Sequence, residues 1–188
     1  MPEETFRPIA DGTLTQWTPT SGTDHYALVD EEDPPDLTER VDASGNNQIE
    51  RFKFDFSSLA GKIINHVTII VHCFGQNAKI KILIFDGSNQ SEGTEESLST
   101  TWTDFLYQFD NNPSGVTWED TDLTSSLFEA GLKTSYWGMF LPSGKCAQVE
   151  AKVNYDEPGG SFDYPTNLKA DGATNPTDAI ENFSATAQ

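Results

Sequence analysis

An all-β fold, an antiparallel two-sheet β-sandwich of jelly-roll type, is what this sequence predicts, and three observations predict it. Apolar and polar residues alternate with period two in several segments. Clusters of Gly, Pro, Asn, Asp and Ser separate those segments. The intervals between them are too long for a compact immunoglobulin-like domain, which favours a jelly roll.

Taken in order, residues 14–17 and 25–29 are short enough to be edge strands. In 49–56, Phe52, Phe54 and Phe56 share one face, and Arg51, Lys53 and Asp55 fall on the other, expected to be the water face. Residues 66–73 are almost continuously β-branched, as a central strand requires. Ile80, Ile82 and Ile84 alternate with Lys79, Lys81 and Leu83 before the chain turns at Asp86-Gly87. Residues 101–109 and 134–141 are aromatic-rich strand candidates. In 148–155, Val149, Ala151, Val153 and Tyr155 alternate with Gln148, Glu150, Lys152 and Asn154. One segment breaks the period: over 118–129, Asp120 or Thr121 can cap a helix, and Leu123, Leu127 and Phe128 follow at helical spacing. A single short helix is expected there.

After Tyr155 the texture changes. Asp156-Glu157-Pro158-Gly159-Gly160 reads as a linker, and the remainder holds only scattered large apolar residues. The predicted organisation is a sandwich over 1–157 and an extended C-terminal arm over 158–188, with Phe162, Tyr164, Leu168 and Phe183 as separated partner-binding anchors.

Charge narrows the function classes. With 30 acidic and 11 basic residues among 188, the formal charge is −19. Phosphate neutralisation needs clustered Lys and Arg, so no nucleic-acid partner is expected. No apolar run approaches the ~18 residues that cross a bilayer, so no membrane partner is expected. The start, Met1-Pro2-Glu3-Glu4, is the reverse of a basic signal-peptide start.

Residues able to carry chemistry are few. His25, His66 and His72 are the three histidines, and no nucleophile elbow accompanies them. His and Cys nowhere reach zinc-ligand spacing. Paired carboxylates would suffice for glycoside hydrolysis, but 30 acidic residues make chance pairs unremarkable. No catalytic residue and no enzyme is therefore expected. The acidic run Asp30-Glu31-Glu32-Asp33-Pro34-Pro35-Asp36 reads as a solvated loop, with calcium as the alternative to no cofactor at all. Cys73 and Cys146 are either two small buried apolar residues or, where their strands are neighbours, a bridge. Among Trp17, Trp102, Trp118 and Trp137, the first and third lie beside turns. Trp17 and Trp118 are thus the candidate stacking platform for a ligand, with core packing as the alternative.

The opening Phe6-Arg7-Pro8-Ile9-Ala10-Asp11-Gly12, then Trp17-Thr18-Pro19 and His25-Tyr26-Ala27-Leu28-Val29-Asp30-Glu31, resembles β-rich modules of tailed-phage and prophage structural proteins. Asn112-Pro113-Ser114-Gly115-Val116-Thr117-Trp118 with Asp122-Leu123, and a closing strand at 148–155, continue the resemblance over about the first 155 residues. Pro165-Thr166-Asn167-Leu168, Asn175-Pro176-Thr177 and Phe183-Ser184 are similar to the start of the immunoglobulin-like modules that follow in such proteins, and here they stop at Gln188.

The resemblance implies a non-enzymatic virion structural protein. Its expected form is a capsid decoration or accessory surface subunit that self-associates through its C-terminal arm, contacts a major capsid or tail protein, or both, at the virion surface. The alternative class is a carbohydrate-binding module of a fibre or secreted protein.

Overall fold

The computed structural model describes residues 2–124, 126–137 and 142–158, and the side chains of Thr124 and Trp137 are not among what it describes. The expected arm from 159 onward, with Phe162, Tyr164, Leu168 and Phe183, lies outside these residues. The chain forms β1 (Glu3–Phe6), β2 (Pro8–Thr15), β3 (Thr18–Pro19), β4 (Val41–Ala43), β5 (Ile49–Phe54), β6 (Ile63–Gln76), β7 (Ala78–Phe85), β8 (Gln90–Ser97), β9 (Thr103–Phe109), α1 (Asp120–Thr124), β10 (Glu129–Trp137) and β11 (Ser143–Asp156).

Two antiparallel sheets pack face to face, as the period-two alternation requires. One runs β3-β4-β11-β6-β9, with β1 also on β11, and the other runs β2-β5-β10-β7-β8. The pairs β4·β11, β5·β10, β6·β9 and β7·β8 are nested, all antiparallel. A single long hairpin, rolled so that its successive strands alternate between sheets, generates this order, and it is the jelly-roll connectivity. The tip of that hairpin is the turn after Phe85. There Asp86 Oδ1 accepts the backbone N–H groups of Ser88 and Asn89 at 2.8 and 2.7 Å, and Gly87 takes φ 94°.

The alternation becomes the core. Val67, Ile69, Val71 and Cys73 of β6, with Val149, Ala151 and Val153 of β11, line one inner face. Phe52, Ile80, Ile82, Ile84, Ala130 and Leu132 line the other, and all are buried. Each large side chain withdrawn from water contributes about 1.5–3 kcal/mol. Aromatic rings close one end of the sandwich. Phe56 packs on Phe6, Phe54 and Phe128 at 4.6, 5.6 and 5.5 Å, and Trp118 packs on Phe128 at 6.0 Å.

Several expectations are corrected. Residues 25–29 do not pair as a strand. Tyr26–Leu28 is a 3₁₀ turn, pinned because Asp11 accepts the N–H groups of both His25 and Tyr26. The helix is shorter than the 118–129 pattern. Leu127 is exposed, and Phe128 instead joins the aromatic end while Glu129 already pairs with Phe85 in β10. Accordingly β10 begins earlier than the 134–141 reading. Arg51 lies on the outer face of β5 but is only 5% exposed, so that face is not a water face at this point. Among the described residues, four strands carry no apolar alternation and escape the sequence pattern, namely β1, β3, β4 and the wholly polar β8.

Candidate functional site

Among the described residues, two clusters around buried carboxylates and one partly exposed face are the candidates. The first cluster exists because β5 turns Glu50, between Ile49 and Arg51, toward the interior. Its carboxylate is fully buried, with Oε1 2.6 Å from His25 Nδ1 and Oε2 accepting the Trp17 N–H at 2.9 Å. Burial raises the Glu50 pKa to about 7, against the opposing pull of the Trp17 N–H and of His25. The second cluster lies on the outer face of the β2-β5-β10-β7-β8 sheet. Glu129, 1% exposed, accepts Thr13 N–H at 2.7 Å and Thr13 Oγ1 at 2.9 Å, and it lies 3.4 Å from Arg51 Nε. The Arg51 guanidinium sits 3.9 Å above the Phe85 ring. In both clusters the carboxylate itself is closed to solvent.

Both tryptophans of the expected platform are buried. Trp17 is 3% exposed and donates Nε1–H to Gln48 O at 3.4 Å. Trp118 is 6% exposed and donates Nε1–H to Phe109 O at 2.9 Å. Neither has an open ring face on which a ligand could stack, because each plugs the sandwich with its polar edge satisfied by a carbonyl.

A partly exposed aromatic surface lies elsewhere, on the outer face of the six-stranded sheet. From His66 to Phe74 the even-numbered residues of β6 point outward there, and register aligns them with β9 and β11. Gln148, His72 and Asp104 form one row, and Glu150, Ile70 and Leu106 the next. Leu106 is 61% exposed.

Beside these rows runs a ladder of side chains. Lys145 Nζ is 5.3 Å from the Phe74 ring, and Phe74 lies 5.7 Å from Trp102. Trp102 stacks on His72 at 5.6 Å with planes 3° apart, and His72 Nδ1 is 2.5 Å from Asp104 Oδ1. A cation, two aromatic rings, an imidazole and a carboxylate thus come together from β11, β6 and the start of β9. Such a surface can stack against a planar or apolar partner and hydrogen-bond at its ends. The β11 side of the face is roofed where Gln148 Nε2 and Arg7 Nε both donate to Glu31 O, at 2.8 and 2.9 Å. Among the described residues the β9 side has no such roof.

Trp102 was visible in the sequence as an aromatic. Its partners were not, although one signal existed: Ile70, His72 and Phe74 are apolar or aromatic at positions where a half-buried strand normally turns polar.

The other candidates resolve differently. In the acidic run, Glu31 binds the Asp36 N–H, and Asp36 accepts the N–H and hydroxyl of Thr38. Among the described residues no group of three or more His, Cys, Asp or Glu is placed to hold a metal ion. Cys73 and Cys146 are directly opposite across β6 and β11, both buried and both free thiols. Two shallow surface grooves, of about 230 and 250 Å³, each include one carboxylate, Asp55 and Asp110 respectively. No protein-family model matches the chain, and no curated protein matches its sequence.

Proposed function

We propose that this chain is a non-enzymatic structural subunit of a virion surface, a capsid decoration or accessory protein that self-associates and contacts a major capsid or tail protein. The observation that carries this reading is the apolar centre of the outer face, Ile70 beside the 61%-exposed Leu106, on a chain of formal charge −19. The buried carboxylates paired with His25 and Arg51 also favour a rigid scaffold over a reactive cleft. The resemblance of 6–31 and 112–123 to phage modules supplies the virion context, and Phe162, Tyr164, Leu168 and Phe183 are the proposed grip on a neighbouring subunit.

The test is electron microscopy and sedimentation of the purified full-length chain at low and high salt. Ordered multimers that grow with salt are expected, because screening relieves repulsion between subunits of charge −19. A chain that forms nothing larger than a dimer at any salt concentration overturns the reading.

A second reading, carbohydrate binding, is favoured by one observation, the half-exposed Trp102 ring stacked on His72. Glycan-array binding that is lost in Trp102→Ala would select it, and an array blank for the parent chain would remove it.

A further inference from the structure

Among the described residues, five strands lie at sheet edges, and four of them are blunted against strand addition in recognisable ways. β1 has four residues, two of them Glu3 and Glu4. β3 has two residues, one of them Pro19. β2 begins at Pro8 and is broken by two register shifts against β5. β8 carries Glu92, Glu95 and Glu96 within eight residues and shifts register against β7, so a second β8 beside it would gather six glutamates.

β9 has none of these features. It runs seven residues, Thr103–Phe109, pairs with β6 without a shift, and holds one charge, Asp104, whose carboxylate is already engaged by His72. It borders the unroofed side of the outer face and places Leu106 at its centre.

We infer that β9 is an assembly edge whose occupant is β9 of a second copy of this chain, added antiparallel about a two-fold axis through Leu106. This rests on the proposed self-association and names the contact that makes it, one separate from the C-terminal arm. The strand is complementary to itself in that register, the one that pairs all seven residues. Leu106 meets Leu106 of the second copy, Phe105 meets Tyr107, Asp104 meets Gln108 and Thr103 meets Phe109. No like charges come opposite one another. The two six-stranded sheets would become one continuous sheet, with the Ile70–Leu106 strip extended across the junction.

The test uses the full-length chain in sedimentation equilibrium at moderate salt, with thermal melting to verify folding. Leu106→Glu places two carboxylates at the axis and is expected to weaken the dimer by at least about tenfold, with the melting temperature of the dilute monomer unchanged. Ile9→Glu, at an equally exposed apolar position on β2, is expected to leave it intact. The register gives a second handle, independent of Leu106. Gln108→Asp faces Asp104 and weakens the dimer, whereas Gln108→Lys faces the same carboxylate and tightens it.

Multimers insensitive to Leu106→Glu and to both Gln108 changes would overturn the edge pairing and leave the subunit reading standing. A dimer that obeys all of these changes yet builds nothing larger would support the edge pairing and overturn the particle-subunit reading. A monomer under every condition overturns both.

Discussion

Glu50 and His25 share a short contact of 2.6 Å inside the sandwich, with the carboxylate wholly withdrawn from water and its pKa raised to about 7. The unfolded carboxyl loses its proton near 4.5, so between that pH and about 7 the folded chain holds a proton that the unfolded chain has released. The contribution of Glu50 to stability is therefore greatest at low pH and falls as pH rises through that window, by about 3 kcal/mol in all. Glu50→Gln retains an acceptor for the Trp17 N–H and cannot titrate. Urea unfolding from pH 5 to 8 should show the parent losing stability relative to Glu50→Gln as pH increases; parallel curves would refute the assignment.

Arg51 and Glu129 are buried as a pair, and two guanidinium nitrogens, Nε and Nη1, lack hydrogen-bond partners. Arg51→Met removes the countercharge from a carboxylate that is 1% exposed, and should cost about 3 kcal/mol in urea unfolding. Arg51→Met combined with Glu129→Gln should cost less than the sum of the two single changes, since the orphaned charge is gone. Additive losses would show that the two side chains are not energetically coupled.

Gly131 of β10 lies against the β5 backbone, paired with Arg51. A Cβ there would lie 2.0 Å from the Glu50 carbonyl oxygen, which belongs to a neighbouring strand and cannot swing away. Gly131→Ala should destabilise by about 3 kcal/mol or more, or prevent soluble expression. Gly22→Ala meets open space and strains only a backbone at φ +63°, so about 1 kcal/mol is expected. Thermal melts of the two variants compare crowding with conformational strain directly.

The thiols of Cys73 and Cys146 are both buried, and burial pushes Cys73 well above its ordinary pKa. A thiol-reactive disulfide reagent should leave the native chain unmodified over minutes and titrate both thiols once denaturant is added. Rapid reaction in the native state would place at least one of them at the surface.

Much of the architecture is legible in the linear chain. Ile80, Ile82 and Ile84 on β7, and Val149, Ala151 and Val153 on β11, declare their inner faces because side-chain direction in a strand is a local, period-two property. β8 is invisible for the same reason. Gln90–Ser97 contains no apolar residue, and what holds it in the sheet is its pairing with β7 and the ion pairs Lys79–Glu95, Lys81–Glu92 and Lys133–Glu92. The Trp17 and Trp118 platform failed because position beside a turn does not tell whether a ring points out or plugs the end of a sandwich. Trp102, which does present an aromatic surface, needed His72 and Phe74 of another strand to define it.

By itself, then, the sequence determined that this protein is a two-sheet sandwich, where most of its strands run and which side of each faces inward. The tertiary structure decided which polar groups meet: Glu50 with His25, Arg51 with Glu129, Arg7 with Glu150 across 143 residues of chain, and which sheet edge is left unguarded. The physical reason is range. A strand's inward face is set by its own alternation, whereas partners and edges depend on register between segments far apart in sequence, and only the rolled hairpin brings those segments side by side.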